Sequence, residues 1–241
     1  TETFQGIDEL KKFETLCKGT ERVLNFSRLN IEKRIVALSS GAIYGGFAAS
    51  RKKVISELER NAPAYWMDSQ ALSVGKRVSE FLVKEYCTRD YIDASVARCF
   101  SFVGPGLPTN AHYAVGNFAK NALDGRDIMI NGDGKPVRSY MHLGDMVYWI
   151  ISILLYGKKG QDYNVGSQKP ITMFDLAVLV REIFQAPSNI IVLGKPNTTA
   201  GNPPNNFYVP DTKKAQLELG LNMNADLKTA ICDYAAFLKK I

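Results

Sequence analysis

Apolar side chains return every three or four positions between residues 7 and 29, where Ile7, Leu10, Phe13, Leu16, Val23, Leu24 and Phe26 mark one face of a helix. The period then changes. Ile35-Val36-Ala37-Leu38 is apolar without a break, and such a run in a strand over 34–39 suits a parallel strand covered on both faces. Helical spacing resumes over 69–89 with Leu72, Val78, Phe81, Leu82 and Tyr86, and residues 92–100 read as another strand. Helix, strand, helix, strand is the rhythm of an α/β fold with a doubly wound parallel sheet.

Beyond Pro108 the elements shorten. The pattern predicts a helix near 112–124, a short strand and turn at 128–134, and an extended stretch from Arg138 to Leu143. A helix over about 144–157, a brief strand at 163–166, and a helix over 173–185 capped by Thr172 follow. Ile190-Ile191-Val192-Leu193 is a further strand, Gly201–Asn206 a turn-rich loop, and the last helices lie near 211–219 and 225–239. No internal repeat or low-complexity tract interrupts the chain.

Length and composition add limits to that pattern. A chain of 241 residues makes one large domain or two small ones with ample core. The longest apolar run, Trp149–Leu155, falls far short of the roughly 20 residues that span a bilayer, so no membrane association is expected. The net charge of +6 comes from scattered lysines and arginines, without a basic stripe interleaved with aromatics. A solvated basic surface is the simpler reading and nucleic acid is not an expected partner; a nucleotide diphosphate fits the charge without being required by it. Cys17, Cys87, Cys99 and Cys232 form no CxxC pair, and His112 and His142 are the only imidazoles, so neither zinc nor a disulfide framework is indicated. Reduced thiols in a cytoplasmic protein are the expectation, and the start at Thr1-Glu2-Thr3-Phe4 shows neither an initiator methionine nor a signal-peptide pattern.

Candidate chemistry is concentrated between Ser39 and Lys76. The buried strand ends in Ser39-Ser40-Gly41-Ala42-Ile43-Tyr44-Gly45, and the next helix carries Gly75-Lys76-Arg77-Val78-Ser79-Glu80. Gly19-Thr20-Glu21-Arg22-Val23-Leu24 precedes them, and Arg98-Cys99-Phe100-Ser101-Phe102-Val103-Gly104-Pro105 follows. Gly132-Asp133-Gly134, then Arg138-Ser139-Tyr140-Met141-His142-Leu143-Gly144-Asp145, Tyr163-Asn164-Val165-Gly166 and the tail from Pro210-Asp211 to Leu219-Gly220-Leu221 complete the series. In this order, over nearly the whole chain, they resemble the extended short-chain dehydrogenase/reductases, the NAD-dependent epimerase/dehydratase family of nucleotide-sugar enzymes, in its UDP-galactose 4-epimerase-like form.

The resemblance implies roles. Ser40 matches the hydroxyl that orients the reacting sugar oxygen, and Lys76 the lysine that holds the cofactor ribose and favours a neighbouring phenolate; both are candidate catalytic residues. Ser39 and Lys76 are candidate contacts for the cofactor, NAD or NADP. Arg138 matches the arginine that grips the nucleotide diphosphate, a task suited to a planar guanidinium. Ser101 and Asn117 are further candidate substrate contacts, whereas Tyr44, Arg98 and Asp145 are expected to be structural.

Three departures shape the expectation. The family's catalytic tyrosine lies four residues before the lysine, and that position is Leu72 here; Tyr65, eleven residues before Lys76, is the nearest substitute. Gly41-Ala42 stands where dehydratases of this family carry Asp-Glu and decarboxylases keep the Glu, which favours an epimerase- or reductase-like role. Finally, no glycine-rich strand–helix turn for the dinucleotide pyrophosphate is present, and roughly ninety residues would precede Thr1 in the family's fold.

The expected architecture is therefore a partial Rossmann-like sheet over 1–104, completed by about 138–166, with a smaller α/β substrate lobe from 105–137 and 167–241. The expected function is NAD(P)-dependent epimerisation or oxidoreduction of a nucleotide-diphosphate sugar by hydride transfer at a sugar carbon, as in polysaccharide biosynthesis. A nucleotide-sugar-binding paralogue impaired by Leu72 is the alternative. The helices over 7–29 and 69–89 resemble those that pair across the family's four-helix dimer interface, which implies a homodimer.

Overall fold

In a computed structural model of the chain, the described residues are 7–29, 34–45, 53–63, 65, 69–111, 113–194 and 206–240. The first helix, α1 (Glu9–Arg28), starts where Asp8 accepts a hydrogen bond from Lys11 N at 3.1 Å. It packs along α2 (Ala71–Thr88) through a seam of small residues. A Cβ on Gly75 would lie 2.8 Å from Leu16 Cδ1, and Thr20 Oγ1 donates to Ser79 Oγ at 2.9 Å. The lack of a side chain at 75 is what lets the helices meet.

Between them runs β1 (Arg34–Ser40), parallel to β2 (Asp93–Cys99) in a register from Arg34↔Asp93 to Ser40↔Cys99. β2 in turn pairs parallel with β7 (Asp162–Val165). Parallel neighbours need crossovers, and α2 supplies the one between β1 and β2. Alternation along β2 divides the core. Ala94 and Val96 pack with Leu24, Val83 and Ile92 on the α1–α2 side, while Ala97 packs with Trp149, Ile153, Tyr163 and Val165 on the side of α4 (Leu143–Tyr156). The expectation of a strand covered on both faces, made for the strand over 34–39, is not met by β1. Leu38 is 50% exposed, because β1 is the edge of this sheet among the described residues.

The remaining elements build a second core. Helices α3 (Ala114–Leu123), α5 (Met173–Phe184) and α7 (Leu227–Leu238) enclose Phe118, Leu176, Val180, Ile231 and Tyr234. Short strands frame it: β3 (Phe102–Val103) with β6 (Met141–His142), and β4 (Ile128–Ile130) with β9 (Ile190–Val192). The extended stretch expected from Arg138 to Leu143 is divided. Its start belongs to β5 (Val137–Arg138), which lies between β8 (Ile171–Thr172) and β10 (Phe207–Tyr208), and its end belongs to β6. Thr172 caps α5 as the pattern predicts, its hydroxyl accepting from Asp175 N at 3.0 Å. The short α6 (Lys213–Leu219) sends Ala215 into the sheet core beside Trp149.

A buried polar network ties the two ends of the chain. Arg98 meets Glu80 at 2.7 Å and Asp162 at 2.6 Å, and donates to the Tyr44 hydroxyl at 2.9 Å. Tyr44 donates to Asn164 Oδ1 at 2.8 Å, and Asn164 Nδ2 donates to Ile55 O at 2.9 Å and Asp211 O at 3.1 Å. Arg98 and Tyr44 are thus framework residues, and so is Asp145, which accepts the backbone N–H of Asn224 at 3.0 Å and of Ala225 at 3.1 Å.

Candidate functional site

The carboxyl ends of β1 and β2 open into a cavity of about 610 Å³. Crevices at this end of a parallel sheet are where ligands of open α/β folds sit. Ser39, Ser40, Lys76, Ser101 and Arg138 all line it, with Leu72, Cys99, Tyr113, Tyr140, Leu143 and Met173 among the other walls. Five of the six site residues expected from the sequence are therefore brought together from β1, α2, the end of β2 and β5.

Ser40 is held at the mouth of a single 3₁₀ turn, Gly41–Tyr44, where its hydroxyl accepts from Ala42 N at 3.2 Å. Ser39, one residue earlier on the alternating strand, is 6% exposed, and its hydroxyl has no partner among the described residues. A buried hydroxyl without a partner carries a desolvation cost that a polar ligand would relieve. Lys76 reaches across from α2 and donates to Leu38 O at 2.6 Å. Burial lowers its pKa below the ordinary lysine value, against the opposing pull of Cys99 and Glu80. The Cys99 thiol is pushed up to about 11 by burial despite the nearby Lys76, which disfavours its thiolate.

Arg138 is the informative cation. Its guanidinium donates to Val137 O at 2.9 Å and to Asn206 O and Oδ1 at 3.1 and 2.9 Å, and it lies over the Tyr208 ring at 5.6 Å. Burial lowers its pKa, and no carboxylate pairs with it among the described residues. A half-buried guanidinium facing a cavity with neutral oxygens as partners is an anion site by its charge balance. The surface ion pair that an isolated arginine would ordinarily make is not what the fold gives it.

The sixth expected residue, Asn117, and the nearest substitute tyrosine, Tyr65, lie elsewhere. Asn117 is exposed on α3, and its amide, with the nitrogen toward the preceding loop, donates to Thr109 O at 3.0 Å and Ala111 O at 3.2 Å. It fastens the loop outside the cavity wall. Tyr65 is 76% exposed and borders a shallow groove with Glu9, Phe13, Gln70 and Val74, on another surface from the Lys76 cavity. It does not substitute for the tyrosine that position 72 lacks, and Leu72 itself lines the cavity.

The structure adds one residue that the sequence did not single out. Tyr208, on β10, packs its ring 4.7 Å from that of Phe100 and lies under the Arg138 guanidinium at 5.6 Å. A Cβ at position 41 would collide with the Tyr208 hydroxyl and lie 2.7 Å from the Phe100 ring. Position 41 is glycine because these two rings fill its space. No local motif announces Tyr208, since the contact joins residues at opposite ends of the chain.

Comparison with known proteins gives these features a context. The family model described as "NAD dependent epimerase/dehydratase family" matches residues 7–166. UDP-glucuronic acid decarboxylase 3 of Arabidopsis thaliana is 26% identical over 234 residues, covering 95% of this chain and 64% of that protein. The chain thus spans less than two thirds of the curated relative's length. Among solved structures, the UDP-glucose 4-epimerase of Thermotoga maritima, determined with UDP-glucose, superposes with a TM-score of 0.84 at 22% identity, covering 97% of this chain and 72% of that one. The dTDP-glucose 4,6-dehydratase of Bacillus anthracis, in complex with NAD, gives 0.83 at 18% identity over 98% of this chain and 71% of that one. The Rossmann-like α/β fold expected from the sequence is the fold of these neighbours.

Proposed function

Because the chain belongs to the NAD dependent epimerase/dehydratase family, we propose that its cavity binds a nucleotide-diphosphate sugar and serves NAD(P)-dependent hydride transfer at a sugar carbon. The observation that carries this reading is the convergence of Ser39, Ser40, Lys76, Ser101 and Arg138 on one cavity. Arg138 grips the diphosphate, and Ser101 lines the same cavity. Ser40 orients the reacting sugar oxygen. The partnerless Ser39 hydroxyl and the Lys76 ammonium suit the ribose hydroxyls of a nicotinamide dinucleotide, which supplies the hydride chemistry when bound. The sheet with its flanking helices forms the dinucleotide side, and the core around Phe118 and Tyr234 forms the substrate side.

Gly41 and Ala42 argue for epimerisation or reduction over elimination or decarboxylation. Neither carries an acid–base group, and the rings of Tyr208 and Phe100 leave no room for one at position 41. The second reading, a nucleotide-sugar-binding protein with impaired catalysis, is favoured by one specific feature. Leu72 stands one helical turn before Lys76, where a phenol would exchange the proton. A cytoplasmic location fits the four free cysteines, and no helix among the described residues is long and apolar enough to cross a membrane. A homodimer through α1 and α2 fits the exposed Leu10, Val23, Phe26 and Phe81 on those helices.

Nicotinamide reduction and sugar interconversion by the intact protein, measured with NAD and NADP and a panel of UDP- and dTDP-sugars, separate the two readings. Turnover supports the enzyme. Binding without turnover, with turnover gained on Leu72→Tyr, supports the impaired binder.

A further inference from the structure

The guanidinium of Arg138 is held by one corner. Its Nη1 donates to Val137 O at 2.9 Å, to Asn206 O at 3.1 Å and to Asn206 Oδ1 at 2.9 Å. All the hydrogen bonds it makes among the described residues leave from this one nitrogen. A guanidinium carries five N–H groups, one on Nε and two on each Nη. The pair on Nη1 meets three acceptors, which leaves the three N–H groups of Nε and Nη2. These lie along one side of the planar fork, where two parallel N–H groups match two oxygens of a carboxylate or phosphate. Arg138 lines the cavity, and this side is what it has to offer a ligand there.

Asn206 makes two of the three contacts on Nη1, and it is itself fixed. It stands immediately before β10, whose Phe207 and Tyr208 pair with Val137 and Arg138, and its carbonyl also accepts Val137 N at 2.8 Å. Arginine offers only donors, so the amide presents its oxygen to Nη1 and not its NH₂. The Tyr208 ring, 5.6 Å from the guanidinium, covers one of its faces. A fork tied at one corner and covered on one face has little left to order when a ligand arrives. The residue type at 206 matters as well. An amide oxygen holds the cation without neutralising it, whereas a carboxylate in its place would take up the charge that an anion needs.

We propose that Asn206 is a positioning residue that fixes Arg138 through Nη1, so that a phosphoryl group is received side-on by Nε and Nη2 together. This rests on the nucleotide-sugar reading and adds how its anion is recognised: two oxygens of one phosphoryl group in the plane of the fork. An end-on contact through both Nη groups is closed, because the protons of Nη1 are already engaged.

The clamp is tested without any ligand by NMR of the intact protein labelled with nitrogen-15 in arginine. Arg138→Lys identifies the Arg138 signals by their loss. A guanidinium held at Nη1 should show separate, slowly exchanging Nη1 and Nη2 resonances, and Asn206→Ala should speed that exchange. Averaged resonances in the wild type, or exchange unchanged by Asn206→Ala, overturn the inference whatever the protein binds. Added UDP should then shift the Nε–H resonance of Arg138, and UDP binding that leaves this resonance in place overturns the side-on contact.

Calorimetry with UDP tests the consequence. Asn206→Ala should weaken binding by about threefold to tenfold, the worth of one hydrogen bond. Asn206→Asp keeps an acceptor in the same place and should melt no lower than Asn206→Ala. It should nevertheless bind UDP more weakly than Asn206→Ala does, because its carboxylate compensates Arg138. A purely structural asparagine would instead make affinity follow stability, with Asn206→Asp nearer the wild type than Asn206→Ala, and that order overturns the inference. Failure of the wild type to bind UDP refutes the nucleotide-sugar reading itself, and the arginine resonances then decide separately on the Asn206 clamp.

Discussion

A single guanidinium carries most of the electrostatic case for an anionic ligand. Arg138 has only neutral oxygens as partners among the described residues, so an incoming diphosphate meets a charge that is not already compensated. Arg138→Ala should weaken UDP binding by about 10- to 100-fold, the worth of a charged hydrogen bond, with little change in thermal stability; calorimetry and a melting curve check both. Glu57 offers a different residue-scale test. Burial raises its carboxyl pKa above the ordinary value of 4.5, against the backbone N–H of Asn164 that it accepts at 2.8 Å. The folded state therefore holds this proton more tightly than the unfolded chain. Its stabilising contribution is complete below pH 4.5 and is lost as pH rises through the raised folded value. Glu57→Gln, which keeps an oxygen for Asn164, should be more stable than the wild type near neutral pH. That advantage should vanish in acid, as urea titrations at several pH values would show.

At the scale of elements, periodicity located the α-helices of the described residues, because amphipathic segments announce their buried face, whereas the 3₁₀ turn Gly41–Tyr44 was read as loop. The capping threonine of α5 was legible for the same local reason. Thr172→Ala should cost about 1 kcal/mol, read from urea unfolding. The edge exposure of β1 was not legible: an apolar run reports strand character, while burial depends on which neighbours a strand has. The split of 137–143 into β5 and β6 was hidden too, because two-residue strands are set by tertiary partners and not by alternation. Ser40, Lys76 and Arg138 could be read from family-like motifs at fixed spacing. Tyr208 could not, since its contacts with Phe100, Arg138 and the space at Gly41 join distant parts of the chain that no local pattern encodes. The α1–α2 seam makes its own prediction. Gly75→Val would place a branched side chain where a Cβ already lies 2.8 Å from Leu16 Cδ1, and should cost ~1–3 kcal/mol by overpacking.

For the molecule as a whole, α1 and α2 each expose large apolar side chains on their outer surface, which the proposed homodimer would cover. Phe26 is 69% and Phe81 61% exposed, one on each helix. Light scattering should report a dimer, and Phe26→Glu with Phe81→Glu should shift it to a monomer that stays folded by circular dichroism. The pairing of β10 with β5 has a consequence for biosynthesis. Arg138 is tied to Asn206 and Tyr208, which leave the ribosome long after β1, β2 and β7 have been made. Sequential emergence lets the sheet consolidate first. Until the tail arrives, the nascent chain holds only part of each core and an unfinished anion grip. Truncation a few residues before Phe207 should therefore cost the hold on UDP together with the parts of both cores that α6 and α7 complete.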